Sequence, residues 1–126
     1  MLCKSAAQMD VRELIERYNN AWGAHDVDAI CALHAPGMVF ENHTADERAE
    51  GEAVRDHIAG IFAAYPDLQF TTRDLRTGDD FAVCEWTART SDREWDGVDV
   101  FPLRDGLIAR KDVYSASHRP RSRTEP

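Results

Sequence analysis

No stretch of this 126-residue chain is apolar for long enough to cross a membrane, and Met1 to Asp10 hold no apolar core of the kind a secretory leader needs. Cysteine is scarce and odd in number. Cys3, Cys31 and Cys84 fit neither a disulfide framework nor a zinc site, and the last two fall in apolar patterns, as buried thiols of a cytoplasmic protein do. His25, His34, His57 and His118 share no ligand spacing, so no metal is expected. An excess of basic charge is also missing. The net charge of −8 argues against a nucleic-acid-binding surface, and the acidic residues are too dispersed to form an acidic tail. Internal repeats and dividing linkers are absent. The chain therefore reads as a single domain over 1–118, large enough for one core, followed by a short tail at 119–126 whose arginines and proline suggest disorder.

What is present is concentrated near the C-terminus. Two β-type runs, Val98 to Arg104 and Leu107 to Tyr114, flank Asp105-Gly106, and Asp-Gly is the strongest short-range signal for a two-residue hairpin turn. Counting back from that turn, Leu103 faces Ile108, Phe101 faces Arg110 and Asp99 faces Asp112. One face then carries Asp99, Phe101, Leu103, Ile108, Arg110, Asp112 and Tyr114, a mixture suited to a pocket wall. The other carries Val98, Val100, Pro102, Leu107, Ala109, Lys111 and Val113, which needs cover and predicts a homodimer through the outer sheet face. Two carboxylates opposite each other repel, and beside an apolar wall one of them keeps its proton near neutral pH.

Upstream the periodicity is helical. Val11, Leu14, Ile15, Tyr18 and Trp22 share one face of a helix that Ser5 and Gln8 could cap and Gly23 could stop. Asp26 or Asp28 can cap a second helix, Val27 to His34, which Pro36-Gly37 ends. Met38 to Glu41 reads as a short strand and the polar stretch from Asn42 to Gly51 as a loop. A third helix, about Glu52 to Tyr65, puts Val54, Ile58, Ile61, Phe62 and Tyr65 on one face before Pro66. Strands follow at Leu68 to Arg76 and Phe81 to Thr90, then the hairpin from Gly97 to Ala116, with Trp95 in a polar loop before it. Helices followed by an antiparallel meander predict an α+β fold: a cone-shaped, curved, mostly antiparallel sheet with the three helices of the N-terminal half on its concave face.

On these residues the chain resembles the nuclear-transport-factor-2-like superfamily, and within it SnoaL-like domains. The carriers are Arg17 to Asp28, Met38 to Asn42, Gly51 before the third helix, and Val98 to Phe101 with Gly106 to Ile108. That superfamily, with its cystatin-like α+β barrel, includes ketosteroid isomerases, SnoaL-type polyketide cyclases and limonene epoxide hydrolases. It also hosts carriers and binding modules. The isomerase pattern puts its oxyanion tyrosine on Tyr18 and its protonated oxyanion aspartate on Asp99, a reading taken from the family's known chemistry. Its general base falls on Asn42, which cannot abstract a proton. The epoxide hydrolase's Arg-x-Asp has no counterpart near Trp86 to Ala88. A cyclase-type acid/base aspartate matches Asp112.

The resemblance implies cofactor-free isomerase, cyclase or lyase chemistry on an apolar carbonyl compound. Asp112 would take a proton, while Tyr18 and Asp99 would hold the enolate oxygen. Trp22, Asn42, His43, Phe62, Trp86, Phe101 and Tyr114 would line the pocket. For each catalytic candidate a structural role stands beside the functional one: a satisfied core hydroxyl for Tyr18, and arginine partners for the two aspartates. Two further readings stay open at this point, a non-catalytic binder of an apolar ligand and an association module with a vestigial pocket.

Overall fold

The computed structural model describes residues 9–115 and the backbone of Arg121 and Ser122. Helix α1 spans Val11–Gly23. Its N-cap is Asp10, whose side chain accepts a hydrogen bond from the Glu13 amide at 2.7 Å; the expected Ser5–Gln8 capping box lies outside the described residues. Helix α2 is only Val27–Cys31, capped by Asp26. It stops short of the expected His34 because the Leu33 carbonyl is taken by the Ile108 amide at 3.0 Å, which draws the chain into the sheet. Pro36-Gly37 accordingly lie inside strand β1, His34–Asn42, where Gly37 at φ 74° takes up a left-handed bend.

The expected Asn42–Gly51 loop is a hairpin. Strand β2, Glu47–Glu50, pairs antiparallel with β1 from Val39↔Glu50 to Asn42↔Glu47. It is an edge strand with no buried residue, so it carries none of the apolar alternation that marks a half-buried strand. Helix α3, Ala53–Ala64, buries Val54, Ile58 and Phe62. Strands β3 (Gln69–Thr77), β4 (Phe81–Arg89), β5 (Arg93–Arg104) and β6 (Leu107–Ser115) complete a sheet in the order β2-β1-β6-β5-β4-β3. Only β1 and β6 run parallel. A two-residue β7, Arg121–Ser122, adds to the start of β5, and Trp95, expected in a loop, lies in β5 opposite Ala88 of β4. The architecture is the expected α+β one: three helices on a curved, unclosed sheet, with Leu14, Ile15, Tyr18, Ile58 and Phe101 in the core between them.

Asp105 and Gly106 both have positive φ, 54° and 75°, as the predicted two-residue turn requires, and Leu103↔Ile108 pair as counted. The register then slips. Two residues of β5, Phe101 and Pro102, stand opposite three of β6, Ala109 to Lys111, so that Val100 faces Asp112 and Asp99 faces Val113. This bulge exchanges the faces of β6 beyond it. Lys111 and Val113 point inward, whereas Arg110, Asp112 and Tyr114 point outward, reversing the expected assignment for all five. The physical reason is Pro102, which has no amide hydrogen to give to a ladder and sits within a strand paired on both sides.

Candidate functional site

Between the inner face of the sheet and helices α1 and α3 lies a cavity of two adjoining lobes, about 380 and 350 Å³. Trp22 from α1, Phe70 from β3, Trp86 from β4, Asp99 from β5 and Lys111 from β6 line both lobes. The larger lobe adds His57, Ile61 and Leu68, together with the half-exposed Tyr65 and the partly buried Trp95, their ring centres 6.4 Å apart. Trp86 is held flat against the sheet because its cross-strand partner is Gly97, over which its ring packs.

The polar centre of this wall is Asp99 with Lys111. Their side chains are only 7% and 8% exposed, and Asp99 Oδ2 lies 3.8 Å from Lys111 Nζ, an ion pair longer than a hydrogen bond. Among the described residues Asp99 Oδ1 has no hydrogen-bond partner, and neither have the indole nitrogens of Trp22 and Trp86. Buried polar atoms are nearly always paired, so the unpaired Oδ1 of Asp99, a residue lining both lobes, is the atom here with a hydrogen bond left to make with a ligand's polar group. Burial raises the Asp99 carboxyl above its ordinary value, opposed by the Lys111 charge and by the nearby Trp86 indole. Burial likewise lowers the Lys111 amine, opposed by Asp99. Both shifts favour the uncharged forms. Lys111 Nζ also stands 3.7 Å from the centre of a Trp22 ring, with Phe40 and Tyr18 rings at 5.1 and 5.2 Å.

The other residues singled out in the sequence are scattered. Tyr18 is fully buried beneath the cavity wall, its hydroxyl paired with His34 Nε2 at 3.0 Å and its ring edge-on to Phe101. Burial holds its phenol well above the ordinary value, so it stays protonated. Phe101 belongs to the core, and Phe62 packs between Trp22 and a stacked His25 ring. Asn42 lines the larger lobe, but its Oδ1 accepts from the amides of Thr44 and Ala45 at 3.1 and 3.0 Å; it shapes the β1–β2 turn.

Asp112, His43 and Tyr114 are not in the cavity; the bulge in β6 puts Asp112 and Tyr114 on the outer face, where His43, just after β1, meets them. Asp112 accepts from His43 Nε2 at 2.8 Å and from Arg110 through both carboxylate oxygens, while Arg110 also reaches Glu41 at 3.0 Å. His43 stacks on Tyr114 with ring centres 4.6 Å apart. Burial alone would raise the Asp112 carboxyl, but the hydrogen bonds from Arg110 and His43 hold it below its ordinary range. Glu41, His43 and Asp112 each offer one ligand atom within 4.8 Å of the others, yet the Arg110 guanidinium already supplies the positive charge at that spot.

Sequence reasoning missed Lys111, which an uninterrupted β-register sends outward. The available signal was Pro102: a proline inside a doubly paired strand calls for a bulge, and a bulge in this hairpin turns Lys111 in.

Comparison with known proteins bears on this arrangement. No curated protein matches the chain in sequence. Among solved structures, a candidate ketosteroid isomerase from Kribbella flavida is similar at a TM-score of 0.73 and 23% identity, covering 91% of this chain and 80% of that one. A SnoaL-like protein of unknown function from Burkholderia thailandensis gives 0.74 and 20%, covering 93% and 100%. SalBIII, an epoxide hydrolase/cyclase-like enzyme of pyran ring formation in the polyether salinomycin, gives 0.71 and 20%, covering 83% and 89%. At such identities these likenesses speak for the fold. The family model described as the SnoaL-like domain matches residues 15–111, from α1 to the buried lysine, and the chain belongs to that family.

Proposed function

We propose that this SnoaL-like domain is a cofactor-free enzyme of acid–base chemistry on an apolar carbonyl compound held in the inner cavity. Asp99 carries the proton and Lys111 receives the carbonyl end. The observation that carries this reading is the buried Asp99 carboxylate in the cavity wall, with one oxygen unpartnered and the other beside Lys111. In its ionised form, Asp99 removes a proton from the carbon next to the carbonyl. The electron pair moves onto the carbonyl oxygen, where the positive charge of Lys111 stabilises it in a site of low dielectric. Return of the proton to another carbon completes an isomerisation; attack of the enolate on a second carbonyl closes a ring. The roles first assigned to Asp112 and Tyr18 pass to Asp99 and Lys111, because these two face the cavity.

Phenylacetone in D2O supplies the test: an aryl group for the Trp and Phe walls and acidic protons beside a carbonyl. NMR should show the full chain speeding exchange of those protons, and Asp99→Asn should slow it by about a hundredfold or more, the usual contribution of a positioned base. Equal exchange by both proteins would remove the acid–base role. The second reading, a non-catalytic binder of apolar ligands, draws on Asn42. The resemblance expects a carboxylate base there, and the residue present serves a turn. Calorimetric binding of phenylacetone without any exchange would favour it.

A further inference from the structure

The chain has thirteen arginines but only two lysines, Lys4 and Lys111. Every exposed cation among the described residues is therefore an arginine, and the one described lysine is buried in the cavity wall. The two side chains are not interchangeable. A guanidinium keeps its proton under all ordinary conditions, whereas an amine shielded from water can lose it and become a nucleophile. Where charge alone is wanted, this protein uses arginine; at the inner cavity it has the group that can be uncharged.

We propose that Lys111 binds the carbonyl compound covalently, attacking its carbonyl carbon to form an imine, with Asp99 as the group that moves the protons. This rests on the reading of the cavity as a carbonyl site and sharpens it to aldehydes and unhindered ketones. The geometry supports it in three ways. Lys111 lines both lobes, which together offer a volume within the range of small-molecule sites. At 3.8 Å the contact with Asp99 is too long for a hydrogen bond, which leaves the nitrogen lone pair of the uncharged amine unengaged. The Trp22, Phe40 and Tyr18 rings around it suit a cation, and the protonated imine is one that remains after the ammonium is gone. Burial favours the uncharged amine against the pull of Asp99; Cys84, His34 and Tyr18 are the other titratable groups around it.

The step balances within the pair. The amine nitrogen bonds to the carbonyl carbon, the carbonyl π electrons go to oxygen, and that oxygen takes the proton of the Asp99 carboxylic acid. The nitrogen gives a proton to the resulting carboxylate. Asp99 returns it to the hydroxyl, the C–O bond breaks, and water leaves as the C=N bond forms. Amine and carbonyl become imine and water, with no oxidant or reductant. The protonated imine is then a stronger electron sink than the original carbonyl, and Asp99, again ionised once it has supplied that proton, stands beside it to take the α-proton.

The test is reductive trapping of the full chain with benzaldehyde and sodium cyanoborohydride, followed by peptide mass mapping, with benzaldehyde binding measured separately by calorimetry without reductant. Lys4 serves as the comparison amine within the same molecule. The expected result is a single benzyl group on Lys111, gained at least tenfold faster than on Lys4, and slowed in Asp99→Asn while binding persists. Trapping on Lys111 no faster than on Lys4, with benzaldehyde bound, overturns the imine and leaves non-covalent carbonyl chemistry standing. Absence of both binding and trapping overturns the carbonyl site itself, and the imine with it. The comparison of two lysines in the unaltered protein decides the matter even where Asp99→Asn does not fold.

Discussion

Acid should weaken this fold through one imidazole. His34 opens β1, and its Nε2 meets the Tyr18 hydroxyl at 3.0 Å, which a neutral ring can accept. Burial, and after it the positive charge of Lys111, lowers the His34 pKa from 6.5 to about 4. The folded state thus refuses a proton that the unfolded chain binds readily. Stability from this group is complete above the unfolded value of 6.5 and is lost as pH falls from there to about 4. A shift of this size, at about 1.4 kcal/mol per unit, is worth roughly 3 kcal/mol, a large share of a small domain's total. The perturbation is His34→Gln, which keeps an acceptor for Tyr18 and removes the titration. Urea unfolding of both proteins from pH 8 to about 4 provides the assay. The stability of the natural protein minus that of the variant should hold steady above about pH 7 and fall by about 3 kcal/mol toward pH 4. A difference that stays flat across this window, or rises as pH falls, refutes the reasoning, since His34 would then titrate in the folded protein no lower than in the unfolded chain.

Two further substitutions separate the inner face from the outer. In Gly97→Ala the added methyl would stand 2.3 and 2.4 Å from ring carbons of Trp86, so the indole must leave its place in the cavity wall. Thermal unfolding should register a loss of about 1–3 kcal/mol, with weaker phenylacetone binding by calorimetry; unchanged binding would mean that Trp86 does not shape the ligand space. Asp112→Asn breaks contacts to Arg110 and His43 on the outer face and should cost about 1–2 kcal/mol in urea unfolding. It should leave phenylacetone exchange unchanged; a loss as large as that of Asp99→Asn would return Asp112 to the chemistry.

Local pattern was enough for much of this protein. The apolar spacing of Leu14, Ile15, Tyr18 and Trp22 specifies α1, because a period of 3.6 can bury one stripe only as a helix. Asp105-Gly106 specifies its turn, because both residues tolerate positive φ. Helices followed by strands fix the class, and the family resemblance extends it to the fold. Strand β2 escaped notice since a charged edge strand is recognised by its pairing with β1 and not by its own residues. The site was half legible. Asp99 stands inward in either register, but its partner depended on a single extra residue in β6. A slip of one position reverses every side chain beyond it, and whether β6 bulges is decided by how it fits β1 on one side and β5 on the other. Sequence alone therefore determined the three helices, the strands other than β2 and β7, the turn and the inward Asp99. The tertiary structure decided that Lys111 faces Asp99 in the cavity, and that Asp112 is paired with Arg110 outside, because Pro102 signals that the hairpin bulges but not in which strand or at which residue, and the pairing of β6 with β1 and β5 fixes that.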